Sequence, residues 1–133
     1  MERENLKFLG DYLKKTKYPI LIEQLPENVI QKASVVLESN CSKDELIGKY
    51  VGTEFVEPAW YTKIKNINAP YSFIIINKIN NISEEEQRKF IELLKYRKSY
   101  IYDLPENCRI LVTYEEDSTK PINEEVYSFL IHI

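Results

Sequence analysis

The stretch "FIIINKINNISEEEQRKF", residues 73–90, decides the fold. Its four leading apolar residues run into Asn77 and Lys78, and Ser83 with Glu86 then forms a capping box that starts a helix. An unbroken apolar strand is typical of a sheet that is covered on both faces. A strand that ends in this way usually carries an Asp and a Glu to a site for a metal ion and a nucleotide, and neither acid is present. The stretch therefore predicts a buried strand and a helix, with altered polar residues where a site is expected.

Strands and helices alternate along the rest of the chain. Apolar runs predict five strands, near residues 19–23, 34–39, 72–77, 109–114 and 127–133. Helical spacing and helix-start residues predict helices over residues 2–15 and 26–33 and after Ser42, Pro58 and Ser83. This alternation indicates a parallel sheet with helices on both faces.

Some local assignments depend on single residues. Asn28 and Gln31 have the spacing of a capping box, which predicts the start of the second helix. Val35 and Val36 are β-branched and favour a strand, although the preceding helix could also continue to about residue 38. Residues 50–57 are predicted to be a loop.

The chain is predicted to be one domain. Its 133 residues can enclose a sizeable core, and it shows no linker, repeat or low-complexity segment. We expect a single α/β domain over residues 1–133, with an N-terminal helix over 1–15 and a core over 19–133.

The composition excludes several classes of protein. Hydrophobic residues make up 44% and charged residues 29%, which suits a soluble globular protein. The net charge of −3 and the absence of a basic block argue against nucleic-acid binding. No apolar stretch approaches the roughly 20 residues that span a bilayer, and no leader is apparent.

Few residues are candidates for metal binding or nucleophilic catalysis. Cys41 and Cys108 lack metal-ligand spacing and are interpreted as reduced thiols of a cytoplasmic protein. His132 lies in an apolar run and is interpreted as a strand residue rather than a catalytic base. We therefore expect no metal site and no cofactor.

Three segments together resemble a known family. They are "ELIGKYV" with "FVEP" (45–58), "PYSFIIINKINNISEEEQRKFIELLKYR" (70–97) and "LPENCRILVTY" (104–114). They resemble the AAA+ ATPase core of the P-loop NTPases, and most closely its MoxR and dynein-related branch. The resemblance covers about residues 19–133 and is most specific over 44–114. It implies a three-layer α/β/α sandwich with a five-stranded parallel sheet in the order 5-1-4-3-2, here without the helical lid domain.

The phosphate-binding signature of that family is degenerate in this chain. The family motif GxxxxGK[ST] lets glycine N–H groups wrap the phosphates while its lysine neutralises charge. The matching stretch is "QLPENVIQ", residues 24–31, and no glycine exists between residues 11 and 47. The motif positions are occupied by Gln24, Val29, Ile30 and Gln31.

The remaining active-site signatures are altered as well. Asn77 and Lys78 stand where the family has a magnesium-binding Asp and a catalytic Glu. Glu115 stands where a polar sensor residue, usually Asn, is found, and two further acids follow it. The family's arginine before the last strand is absent from "YSFLIHI". The resemblance thus implies a pseudo-ATPase with no catalytic residues.

We expect a non-catalytic AAA+-like protein that works as a protein-interaction, regulatory or assembly subunit. Its partner would be an active AAA+ ATPase or another copy of itself, with no membrane involved. The candidate interface lies in residues 48–61, where half or more of the rings should instead cap the end of the sheet. Its residues are Tyr50, Phe55, Trp60 and Tyr61.

Two other functions stay open at this point. One is a nucleotide-binding sensor or ATPase with a diverged site, which a nucleotide titration would detect. The other is a nucleic-acid-binding module that uses Lys63, Lys65 and Lys78 at one end of the sheet, which would bind in a steeply salt-dependent way.

Overall fold

A computed structural model describes residues 11–133. Within this range the strands are, in chain order, β1 (Ile20–Glu23), β2 (Val35–Glu38), β3 (Lys49–Val51), β4 (Glu54–Val56), β5 (Ser72–Asn77), β6 (Lys98–Ser99), β7 (Tyr102–Asp103), β8 (Cys108–Tyr114) and β9 (Ile131–His132). The α-helices are Glu27–Ile30, Lys43–Ile47, Ala59–Lys65, Glu84–Gln87, Ile91–Tyr96 and Glu124–Ser128, and 3-10 turns occupy Ile79–Asn81 and Arg88–Phe90. Residues 11–15 are also helical, and the earlier part of the predicted N-terminal helix lies outside the described residues.

The main sheet has five parallel strands in the order β2-β5-β8-β1-β9. Counted as the five predicted strands and taken from the other edge, this is the order 5-1-4-3-2, so the predicted topology is confirmed. Central strand β5 pairs with β8, with Ile74 opposite Ile110 and Ile76 opposite Val112. Isoleucine and valine dominate these central strands because both of their faces are covered.

Side chains from the two faces of the sheet enter two separate cores. Ile74 and Ile76 point to the larger core, together with Trp60 and Phe90 from the helices on that side. Ile75 lies between them in sequence and points to the smaller core on the opposite face, in keeping with the two-residue period of a strand. The smaller core is closed by residues that include Leu13, Leu25 and Ile30. Helices therefore cover both faces of the sheet.

Two short antiparallel hairpins project from this frame. The first hairpin, residues 49–56, joins β3 to β4, so the prediction of a loop at 50–57 is wrong. The second hairpin, residues 98–103, joins β6 to β7 and was not predicted. Gly52 turns the first hairpin with a positive φ of 65°, a conformation that glycine adopts without steric cost.

Helix ends follow their capping residues where the side chain reaches the backbone. The Oγ atoms of Ser42 and Ser83 accept hydrogen bonds from the third residue of their helices, as predicted. The predicted cap at Asn28 and Gln31 is wrong, because Pro26 begins that helix and no side chain caps it. Backbone N–H groups of Val29 and Ile30 bond to the Pro26 carbonyl, which moves the helix start forward.

The predicted last strand, 127–133, is mostly not a strand. Asn123 Oδ1 accepts hydrogen bonds from the N–H groups of Glu125 and Val126, and this cap begins a helix that runs to Ser128. Only Ile131–His132 remains as β9, paired with β1. Local capping thus prevails over the apolar pattern of the segment.

A buried arginine attaches the N-terminal helix to the sheet. Arg109 Nε donates to the Leu13 carbonyl at 3.0 Å, and its Nη1 donates to the Glu106 carbonyl at 2.8 Å. The guanidinium also lies over the Tyr71 ring, 5.2 Å from its centroid. These partners are backbone carbonyls and an aromatic face, not carboxylates.

Across residues 11–133, no helix combines the length and the apolar character needed to cross a membrane.

Candidate functional site at the carboxyl end of the sheet

Proteins with an open parallel α/β sheet bind their ligands beyond the carboxyl ends of the strands. In this chain the register aligns Glu23 of β1 with Tyr114 of β8, and Glu38 of β2 with Asn77 of β5. The residues that follow these positions therefore gather along one edge. Most of the predicted degenerate site is indeed brought to this edge: Gln24, Asn77, Lys78 and Glu115.

Residues 24–31, where the resemblance predicts a phosphate loop, contain only a short helix. This helix, Glu27–Ile30, has only four residues. Ile30 is 4% exposed and Val29 is half-buried, and both contribute to the smaller core instead of facing a ligand. Gln24 and Gln31 are exposed.

The backbone of this segment does not form an anion-binding nest. A nest alternates right-handed and left-handed residues so that successive N–H groups converge. All of residues 24–31 are described, and none of them has a positive φ. The Gln24 N–H, at the start of the segment, donates instead to the Tyr114 carbonyl at 2.9 Å.

Asn77 is held inside a hydrogen-bond network that joins three strands. Its Oδ1 accepts a bond of 2.9 Å from Thr113 Oγ1, and its Nδ2 donates to Glu38 Oε2 at 3.3 Å. Thr113 Oγ1 in turn accepts a bond of 2.8 Å from the Lys78 N–H. The Asn77 amide suits this position because its N–H₂ group donates to a carboxylate, which an aspartate would repel.

Lys78 has an internal partner for its charge. Its backbone is left-handed, with φ 56° and ψ 59°, and its Nζ lies 3.3 Å from Glu115 Oε1. Both side chains are about 30% exposed, at 31% and 29%. The two predicted site residues thus neutralise each other.

Asn80 is a central residue of this edge that the sequence reasoning missed. It is 4% exposed, its Nδ2 donates to the Glu115 carbonyl at 2.7 Å, and its Oδ1 accepts from the Glu115 N–H at 2.9 Å. Ser118 Oγ donates to the Asn80 carbonyl at 3.1 Å. These bonds join the turn after β5 to the loop after β8. Ile79 and Asn80 follow Lys78 within the segment that resembles the family. Nothing in the sequence indicated that Asn80 would bond to Glu115.

Acidic groups surround the rest of the edge. A hydrogen bond to Glu23, together with the Glu23 charge, raises the pKa of the Glu116 carboxyl. Burial, followed by the charges of Glu23 and Glu116, raises the pKa of the Tyr114 phenol. The Glu23 carboxylate therefore disfavours a second negative charge at Glu116.

The three lysines considered for nucleic-acid binding are not brought together. Lys65 forms an ion pair with Glu57, and Lys78 pairs with Glu115. Lys63 and Lys65 lie on the helix that precedes β5, whereas Lys78 follows the end of this six-residue strand.

The candidate interface divides into core and surface residues. Trp60 is buried and its Nε1 donates to the Leu46 carbonyl at 2.9 Å, so it is a core residue rather than a surface one. Tyr61 is half-buried, with its hydroxyl bonded to the Asp103 carbonyl at 2.8 Å. Phe55 is also half-buried, whereas Tyr50 is 62% exposed.

Aromatic rings hold the two hairpins together. The Phe55 ring lies 5.2 Å from Tyr50 and 4.8 Å from Tyr100, and the Tyr50 and Tyr100 hydroxyls are 3.4 Å apart. The Tyr61 ring lies 5.0 Å from Tyr102. We call the exposed rings of Tyr50 and Tyr100 the tyrosine face. The second hairpin's share of this face was missed because its strands have only two residues each.

Both cysteines are free, and burial is the main cause that raises the pKa of each thiol. Within residues 11–133, no group of three His, Cys, Asp or Glu side chains is placed to hold a metal ion. His132 lies in β9 as predicted, with its two ring nitrogens each 3.0 Å from a tyrosine hydroxyl, those of Tyr114 and Tyr127.

Comparison with known proteins identifies the fold. No family model and no curated protein matches the sequence. Among solved structures, a candidate ATPase from Cytophaga hutchinsonii superposes with a TM-score of 0.62 at 17% sequence identity, over 97% of this chain. The chain spans 46% of that protein's length. The chain therefore has an ATPase-like, P-loop NTPase-like α/β fold.

Proposed function

We propose that this chain is a non-catalytic relative of the AAA+ ATPases, of the MoxR and dynein-related branch, that acts by binding another protein. The observation that carries this proposal is the internal pairing at the carboxyl end of the sheet. Asn77, Lys78 and Asn80 make their bonds to Thr113, Glu38 and Glu115 rather than pointing to an open site.

The phosphate loop supports the same conclusion. Triphosphate binding needs converging N–H groups and a cation. Residues 24–31 have no positive φ, and the lysine position holds Ile30, which is buried. Glu23 and Glu116 add negative charge beside them.

Magnesium chemistry lacks an acid at the end of β5, where the family resemblance predicts one. Mg²⁺ is held by carboxylates together with phosphate oxygens. Asn77 presents an amide that already has two partners, and Lys78 places a cation next to it. Asn77 therefore offers a metal ion no carboxylate and no unpaired oxygen.

The tyrosine face supports the protein-binding part of the proposal. Tyr50 is 62% and Tyr100 is 42% exposed. Tyrosine is a residue type that often anchors protein interfaces. Contacts between the hairpins hold both rings in place, which lowers the entropy lost when a partner binds.

Isothermal titration calorimetry tests the loss of nucleotide binding. We expect no heat of binding for ATP or GTP at millimolar concentration, with or without magnesium, and no hydrolysis above background. A micromolar dissociation constant for ATP would overturn the proposal and favour a nucleotide sensor.

Affinity capture tests the interaction itself. A tagged chain should retain a specific protein from lysate of its native cells, identified by mass spectrometry, and the double variant Tyr50→Ser/Tyr100→Ser should lose it. Tyr127→Ser is the matched control, because Tyr127 is 43% exposed and contacts His132 of edge strand β9 on the far side of the sheet. Equal retention by all three proteins would exclude the tyrosine face as the binding surface.

A further inference from the structure

The two faces of the first hairpin differ in what covers them. Tyr50 and Phe55 are directly opposite each other, and both contact the second hairpin. Side chains alternate along a strand, so the neighbouring residues point the other way. We call this outward side the valine face; it consists of Lys49, Val51, Glu54 and Val56.

The valine face has no partner within the described chain. Val51 is 57% and Val56 is 46% exposed. Lys49 and Glu54 are exposed too, and neither forms an ion pair or a side-chain hydrogen bond with the residues that the structure describes. Apolar and charged groups are thus both available for an external contact.

We propose that the valine face binds the valine face of a second copy of this chain and forms a two-fold symmetric dimer. The register places Lys49 opposite Val56 and Val51 opposite Glu54, so the two valines lie on one diagonal and the two charges on the other. A two-fold axis along the valine diagonal stacks each valine on its own counterpart. The same axis places Lys49 over Glu54 of the second copy, twice.

This self-complementarity identifies a second copy as the occupant. An isologous contact requires a patch that matches itself under rotation, and these four side chains do so in both shape and charge. The inference goes beyond the proposed role of the tyrosine face, because it uses the opposite side of the first hairpin. The patch is smaller than the roughly 800 Å² per partner of a stable interface, so the dimer is weak and reversible.

Sedimentation equilibrium from micromolar to millimolar concentration tests this dimer. The wild-type chain should move from monomer to dimer over this range. Lys49→Glu and Glu54→Lys should each weaken the dimer by about tenfold or more, because each change puts like charges together at two symmetric places. The double variant Lys49→Glu/Glu54→Lys should recover dimerisation, since it exchanges the two charges and keeps the pairing.

Two controls make the result decisive. Lys63→Glu makes the same change of charge as Lys49→Glu, but at an exposed lysine on a helix. It should leave the dimer unchanged. Thermal unfolding of each variant checks that it is folded. A monomeric wild type throughout, or a double variant as weak as the single ones, would overturn the dimer. Either result would leave the proposed non-catalytic role intact, because that role is tested separately by ATP titration and by substitution of the tyrosine face.

Discussion

The carboxyl end of the sheet and the two hairpins differ in whether their side chains are paired within the chain or exposed to solvent. At the sheet end, polar groups such as Asn77 and Asn80 are buried and fully paired within the chain. At the hairpins, Tyr50 and Val51 remain more than half exposed, at 62% and 57%. A residue's position at the carboxyl end of a sheet therefore says little about binding until its internal partners are known.

The largest expected effect comes from a substitution that disrupts the first hairpin. Gly48 has φ +99°, and a Cβ there would lie 2.5 Å from the Val56 carbonyl oxygen and 2.8 Å from Phe55 Cζ. We expect Gly48→Ala to lower the free energy of unfolding by about 4 kcal/mol, since left-handed strain and a backbone clash combine. Urea denaturation measures this loss.

Gly52→Ala is the control for that substitution. Gly52 also has a positive φ, +65°, but a Cβ there would meet nothing within 4 Å. Strain alone predicts a loss of about 1 kcal/mol. Equal losses for the two variants would show that the clash at Gly48 is relieved by movement of the hairpin.

The next effect removes the side chain of Asn80, a buried member of the sheet-end network. Asn80→Ala removes both side-chain bonds to the Glu115 backbone and leaves that N–H and carbonyl without these partners. We expect a loss of about 2–3 kcal/mol in the free energy of unfolding. Asn81→Ala, at the exposed neighbouring position, should change stability by less than about 0.5 kcal/mol.

A third substitution asks whether the sheet end can be returned to catalysis. Asn77→Asp with Lys78→Glu restores the acids expected at these positions, yet ATP hydrolysis should stay at background because residues 24–31 still lack a phosphate nest. The variant should also lose about 1–3 kcal/mol of stability, since a carboxylate would replace the amide that donates to Glu38. Measurable turnover would contradict the non-catalytic proposal.

The smallest effect concerns the exposed acids beside the network. The pKa of Glu116 is raised in the folded protein by its hydrogen bond to Glu23. A group with a raised folded pKa stabilises the fold at low pH, and this contribution is lost as the pH rises through the folded pKa. The wild type minus Glu116→Gln difference in stability should therefore fall as the pH rises from about 4 to about 7.

Salt is the control for the pH experiment. Both carboxyls are accessible to solvent, so high ionic strength should reduce the pH-dependent difference. A difference in melting temperature that does not change with pH would show that the two carboxyls are not coupled.

The sequence predicted the sheet better than it predicted the edges of the molecule. The apolar runs of β5 and β8 are long and buried on both faces, so they identify themselves without tertiary information. The strand order, in contrast, came from the family resemblance. The second hairpin was not predicted because its strands have only two residues each. Tyr100 and Tyr102 hold it in place by contacts with aromatic rings about 40 to 50 positions earlier in the sequence.

The candidate site was predicted by position but not by bonding. Asn77, Lys78 and Glu115 do lie at one edge, as the spacing of the motifs indicates. The Nδ2 and Oδ1 atoms of Asn80 both bond to the Glu115 backbone. These bonds depend on how two loops 35 residues apart in the sequence meet. Such long-range polar pairs leave no local periodicity in the sequence.

The arginine that attaches the N-terminal helix to the sheet has a consequence for folding, because its partner is distant in the sequence. Arg109 Nε reaches the Leu13 carbonyl across 96 positions of the chain, and β8 must be in the sheet before the guanidinium is in place. Closing so long a loop is entropically costly, so this contact should form late. Because the guanidinium bonds to carbonyls, acid does not remove this contact itself.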